Sequence, residues 1–214
     1  MIGSYLLLLG RSNQDFITRP TTEDAYYALS VSRSLGNGTG FSVDGVAPTN
    51  GVQPLICVVY APIFAAVGPE NPYLALRFVL LFGVLVAIIG AYVFGLLVAH
   101  LADSDSGTGA QARRKTTTIV AAGLYLVNYS LGTHLLNGLE TGILLALISG
   151  ASLYAWREGG SNIGVRSSIV LGLLLGLTIL ARIDAGFFAA VVVVLVLSGR
   201  WGPKRQESQP FRRR

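Results

Sequence analysis

In an apolar chain the few charged residues narrow the chemistry. The carboxylates Glu23, Asp24, Glu140 and Asp184 and the guanidinium groups of Arg33 and Arg182 lie in short polar stretches between apolar runs. A carboxylate within hydrogen-bond reach of a hydroxyl can take its proton as that oxygen attacks. A guanidinium can hold a phosphate through two parallel hydrogen bonds. Asn50 and Gln53 offer amide groups that could contact a sugar or a lipid head group, or cap a turn. Each residue also has a plainer reading. Asp24 falls where a helix begins and would serve its backbone donors and dipole. Glu140 and Asp184 read as hydrated loop acids, and Arg182 as a partner of Asp184 or a side chain reaching to a membrane interface. His134 reads as a packed polar residue, and Tyr26 and Tyr27 as interfacial aromatics.

The elements expected to position these residues are membrane helices. Of 214 residues, 52% are hydrophobic and 13% charged, and the mean hydropathy is +0.59. Soluble domains carry about 25% charged residues, so the composition reads as an all-α, polytopic membrane protein and argues against a water-soluble enzyme. One cysteine, Cys57, excludes a disulfide scaffold and a cysteine-ligated zinc site. A spanning helix needs about 20 apolar residues. Residues 74–101 and 117–136 meet that length, whereas 142–156, 167–181 and 186–199 reach it only with flanking residues. Residues 2–10 are too short to span and read as the end of a truncated first helix or as a misplaced start. The expected organisation is a helix end at 1–10, an external loop at 11–73, a five-span bundle at 74–199 and a basic cytoplasmic tail at 200–214.

Charge sets the orientation. Residues 103–116, 157–166 and 200–214 carry a net charge of +7, through residues such as Arg113, Arg114, Lys115 and Arg157. The alternating stretches, with Arg33, Arg77 and Arg182 among seven acids, carry a net −2. The positive-inside rule puts the first set in the cytoplasm. Glu23, Asp24, Glu140 and Asp184 then share the external face of a plasma membrane. The pI of 9.6 is therefore an orientation signal. Nucleic acid is not expected as a partner, and the tail is expected to lie against anionic lipid.

Within 11–53, Thr21 and Asp24 have capping-box spacing. A helix is expected to run from there to Leu35 and to end at Gly36 or Gly38, with Asp24, Ala28, Val31 and Leu35 on one side. Gly36-Asn37-Gly38-Thr39-Gly40 reads as a turn with positive φ. A phosphate loop would need a following Lys-Ser/Thr and a preceding strand. Residues 54–67, with Pro62 inside, fit an interfacial or re-entrant helix better than a span. If they did span, 11–53 would move to the cytoplasm. Gly172-x-x-x-Gly176 predicts a close helix contact.

Five segments together resemble a known superfamily. Glu23-Asp24-Ala25-Tyr26-Tyr27 resembles the Asp-Glu-Ala-x-Tyr motif of the membrane-embedded GT-C glycosyltransferases, which include protein O-mannosyltransferases and lipid A aminoarabinose transferases. Pro48-Thr49-Asn50-Gly51-Val52-Gln53-Pro54-Leu55 is similar to their Thr-Asn-Gly-x-Gln-Pro-Leu-Trp segment, which opens a helix lying on the membrane surface. Leu76-Arg77 matches their Ala-x-Arg at the start of the second membrane helix. Asn137-Gly138-Leu139-Glu140-Thr141 resembles Ser-Gly-Met-Glu-Thr, and Ala181-Arg182-Ile183-Asp184-Ala185 resembles Ala-Arg-Pro-Asp. The motifs occur in family order over nearly the whole chain. The acidic pair is Glu-Asp where the family has Asp-Glu or Asp-Asp, and the chain has fewer spans than most members.

The resemblance implies a GT-C-like helical bundle whose external loop bears short interfacial helices. It implies transfer of a sugar from a polyprenyl-phosphate donor to an unknown acceptor at the external face, with inversion. Glu23 or Asp24 would be the base. Arg182 and Arg33 would stabilise the leaving lipid phosphate. Glu140 and Asp184 would orient the acceptor, pair with the arginines or hold a divalent cation. Asn50 and Gln53 would bind substrate. The chain would be the N-terminal portion of such an enzyme, either truncated or a separate fragment whose C-terminal half is encoded separately. Two rival readings are a non-catalytic membrane subunit and a transporter. A transporter would place ionisable groups near the midplane and repeat its halves; here the acids gather at one face.

Overall fold

A computed structural model of the chain describes residues 10, 21–102, 109–159 and 163–199. The expected first-helix end, most of the following loop up to residue 20 and the basic tail at 200–214 lie outside the described residues. Among the described residues the chain is all-helical, with eight α-helices, a 3-10 turn and a single isolated bridge between Ser42 and Pro48. The helices are α1 (Glu23–Gly36), α2 (Pro54–Val67), α3 (Pro72–Ala102), α4 (Ala110–Val127), α5 (Tyr129–Leu135), α6 (Thr141–Glu158), α7 (Val165–Ala181) and α8 (Gly186–Leu197), with the 3-10 turn at Ile183–Ala185.

The start of α1 differs from the capping-box expectation. Thr22, in extended conformation, is the N-cap. The Thr21 hydroxyl instead donates to the Tyr26 hydroxyl at 2.9 Å. Glu23 and Asp24 occupy the first turn and Arg33 the last, the arrangement the helix dipole favours. Ala25, Ala28, Leu29 and Val31 are buried, whereas Asp24 is exposed. Gly38 and Gly40 take the positive φ expected of the turn after α1. Pro54 opens α2 at a position where the missing N–H costs nothing. Pro62 sits on the exposed side of α2, and Ile56, Cys57, Tyr60 and Phe64 pack against α1 and the start of α3.

Helix α3 is the central element, with α2, α4 and α6 packed on it. Its 31 residues extend ~46 Å at ~1.5 Å per residue. It is the one described helix long and apolar enough by itself to cross a membrane. Its buried face is built mainly from small residues, including Ala75, Ala87, Gly90, Ala91, Gly95 and Ala99. Phe78, Leu81, Leu85, Ile88 and Ile89 point outward. At Gly95 an added Cβ would lie 2.4 Å from the Thr118 carbonyl oxygen, so α3 and α4 cross backbone to backbone.

Three further sequence expectations change. The continuous span at 117–136 is broken at Asn128, whose backbone is extended and whose side chain accepts from the Leu131 N–H to start α5. Helix α4 also begins before the apolar run and carries Arg113, Arg114 and Lys115 in its opening turns. Helices α7 and α8 have 17 and 12 residues, short, as the sequence implied, of the ~20 needed to cross the hydrocarbon core unaided. Gly172 and Gly176 face open space, with no atom within 4 Å of an added Cβ. The close backbone contacts of helical glycines are instead at Gly95 of α3, against Thr118, and Gly36 of α1, against Ala61. His134 is exposed at the end of α5.

Candidate functional site

The turn before α6 joins the two acidic clusters. Gly138 takes φ +87°, and an added Cβ there would sit 3.1 Å from the Ala25 Cβ. A left-handed glycine therefore lets this turn rest on the first turn of α1. The Thr22 N–H donates to the Asn137 carbonyl at 3.4 Å, while the buried Asn137 side chain accepts from the Leu139 N–H at 3.0 Å. Glu140, three residues after Asn137, is 3% exposed. A buried carboxylate needs a partner, and Arg182 supplies it: Arg182 Nη1 lies 3.0 Å from Glu140 Oε1.

Arg182 ends α7 in extended conformation, which turns its side chain back toward Glu140. Its other edge holds Asp184 as a fork, Nε to Oδ1 at 3.1 Å and Nη2 to Oδ2 at 3.3 Å. The hydrogen bond from Arg182 draws the Asp184 pKa below the usual carboxylate range, and the same bond raises that of Arg182. Asp184 is exposed and Arg182 half-exposed. Tyr60 of α2 is buried beside Glu140; burial, reinforced by the Glu140 charge, raises its pKa and keeps the phenol neutral. The Cys57 thiol is pushed up to about 11 by the same two effects, burial first.

The Glu23 and Asp24 side chains are exposed at the start of α1 and have no hydrogen-bond or ion-pair partner among the described residues. Tyr27, one turn on, shares a 2.7 Å hydrogen bond with Thr49. This brings the 48–54 loop against the early part of α1, with Asn50 exposed and Gln53 as the N-cap of α2. Arg33 is not brought to the carboxylates. It lies nine residues beyond Asp24 on the same helix, ~14 Å along the axis. A cavity of about 20 Å³ lies between Thr21, Tyr60, Gly83 and Gly138, with room for about one water.

Glu140 and Asp184 both address Arg182, and no group of three His, Cys, Asp or Glu side chains among the described residues could hold a metal ion. The sequence reading did not single out Tyr60. Its position in an apolar run gave no signal, because its relation to Glu140 depends on how α2 docks. Asn137 lay within a quoted motif, and its preference for turns could have marked it. The chain matches no protein-family model, no curated protein and no solved structure with which it was compared.

Proposed function

We propose that the chain is a polytopic membrane protein of the GT-C glycosyltransferase type, moving a sugar from a polyprenyl-phosphate donor to an acceptor hydroxyl at the external face. Membrane embedding is supported by helices with small residues inside and large apolar residues outside. Besides the outward side chains of α3, Ile119 and Leu124 of α4, Leu173 and Leu180 of α7 and Phe187 and Val194 of α8 are exposed. Soluble monomers rarely expose apolar patches beyond a few hundred Å², and helices that associate in lipid use small residues at their contacts. The shorter helices would complete their crossings with flanking residues.

One observation carries the catalytic reading: the Asn137–Glu140 turn rests on the helix start bearing Glu23 and Asp24 while it pairs with Arg182. In this reading one of the two exposed carboxylates takes the acceptor proton. The acceptor oxygen bonds to C1, the bond from C1 to the phosphate oxygen breaks with inversion, and polyprenyl phosphate leaves. The edge of Arg182 that holds Asp184 as a fork is the edge that suits a phosphate. Glu140 keeps the opposite edge fixed. The test is transfer of labelled sugar from a panel of polyprenyl-phosphate donors in membranes carrying the full chain. Glu23→Gln and Asp24→Asn are each compared with wild type. Loss of transfer in at least one supports the reading, and full activity in both contradicts it.

A second reading is a non-catalytic membrane subunit. The charge neutralisation of Arg182 by two carboxylates and the water-sized cavity favour it. Transfer that needs a second polypeptide and is undiminished in both Glu23→Gln and Asp24→Asn would select this reading, whereas transfer that needs the second polypeptide and is lost in either variant would point to a split enzyme.

A further inference from the structure

The opposite end of the bundle gathers positive charge around one imidazole. His100 lies near the end of α3, Arg114 in the second turn of α4 and Arg157 in the last turn of α6. His100 Nδ1 lies 2.8 Å from the Leu96 carbonyl oxygen. Only a protonated Nδ1 makes that a hydrogen bond, so Nε2 is left as the acceptor in the neutral ring. Arg157 Nε donates to Nε2 at 3.1 Å, and Arg114 meets the same nitrogen. A neutral imidazole nitrogen has one lone pair and no charge. It cannot offset two guanidinium groups, which repel one another at this separation.

Lys115 follows Arg114, and the opening turn of α4 contains no acid. Glu158, beside Arg157, accepts from the Ser167 hydroxyl at 3.0 Å. Among the described residues neither Arg114 nor Arg157 meets a carboxylate. Three helix ends thus bring two guanidinium groups to one imidazole nitrogen, and phosphate is an anion that guanidinium groups bind well.

We propose that Arg114 and Arg157, positioned by His100, form a binding site for a phosphate-bearing anion. The orientation given by charge places this end at the cytoplasmic leaflet, where anionic lipid head groups and soluble phosphates are both available. The proposal does not depend on the transferase reading.

The test uses the full chain in detergent micelles and native mass spectrometry. The probes are dioleoylphosphatidylglycerol, dioleoylphosphatidylcholine and inorganic phosphate. The expected result is retention of phosphatidylglycerol at least about tenfold above phosphatidylcholine, reduced about tenfold or more by R114Q/R157Q. R114K/R157K keeps the charge but loses the guanidinium geometry and should bind at a level between wild type and R114Q/R157Q, which separates loss of the site from loss of the fold. Displacement of the lipid by millimolar phosphate would support the site and identify a soluble phosphate compound as its ligand; persistence of the lipid would identify the head group. Equal phosphatidylglycerol retention by wild type and R114Q/R157Q would overturn the proposal.

Discussion

Glu140 and Arg182 are 42 positions apart in sequence, yet Oε1 and Nη1 lie 3.0 Å apart, with Glu140 buried and Arg182 half in solvent. The asymmetry decides which side of the pair matters more. Removing Arg182 leaves a buried carboxylate without its counter-charge, whereas removing Glu140 leaves a cation that water and Asp184 still serve. We expect Arg182→Ala to cost about 1–2 kcal/mol, below the cost for a fully buried pair because water reaches the guanidinium. Glu140→Gln should cost less and Asp184→Asn should leave stability unchanged. Thermal denaturation in one detergent orders the three. A larger loss in Asp184→Asn would contradict the account.

The Gly138 backbone gives a second prediction. Gly138→Ala requires a left-handed conformation that costs roughly 1–2 kcal/mol for a residue with a Cβ, and its methyl would press on Ala25. The 137–140 turn should lift from α1, and in a transfer assay the variant should lose activity while its helix content is unchanged by circular dichroism.

Asp44 supplies a pH test outside the membrane helices. Its carboxylate accepts hydrogen bonds from the Val46 and Ala47 N–H groups and the Ser42 hydroxyl, which draw its pKa down to about 2. An unfolded aspartate titrates near about 3.9. The folded value is the lower one, so this stabilisation is complete above the unfolded value and is lost as pH falls from there through about 2. Carboxyl chemical shifts followed by NMR should place Asp44 at the low end. Asp44→Ala should make the 41–49 loop more sensitive to protease at neutral pH.

Packing on α3 separates two kinds of glycine. Gly95→Val must push α3 from the Thr118 backbone and should cost about 1–3 kcal/mol. Gly172→Ala meets nothing and should be neutral or stabilising by up to about 1 kcal/mol, from the helix preference of alanine. Equal melting temperatures for both variants would contradict the crossing of α3 and α4.

The helical elements were largely legible in the sequence, and the contacts that define the site were not. Residues 54–67 stood out as a short apolar run with Pro62 inside, and α2 has those bounds. The break at Asn128 was hidden because an apolar average over 117–136 does not register one side chain capping a new helix. Gly172 and Gly176 have the spacing of a contact but face outward, since spacing does not say which face of α7 meets a neighbour. Convergence of the turns before α6 and after α7 followed from alternating connections. The docking of Gly138 on Ala25 and the burial of Glu140 beside Tyr60 depend on how α1 and α2 fold over α3, which local patterns do not encode.

Orientation can be read with introduced cysteines, because Cys57 is buried and its thiol is held protonated at neutral pH. Val46→Cys and Ile183→Cys, both on exposed positions, should react with an impermeant maleimide from outside intact cells. Gln111→Cys and Val165→Cys, also exposed, should react only after permeabilisation. Labelling of all four from one side would contradict the bundle's orientation in a membrane.

The most direct test of the central claim is release of polyprenyl phosphate in proteoliposomes holding the full chain and a polyprenyl-phosphate hexose. Donor would be supplied to the leaflet facing Glu23 and Asp24 or to the opposite one. The account predicts turnover only from the leaflet facing the acidic end, falling about 10²–10⁴-fold when the catalytic carboxylate is replaced by its amide. Turnover that is indifferent to the leaflet and undiminished in both Glu23→Gln and Asp24→Asn would contradict it.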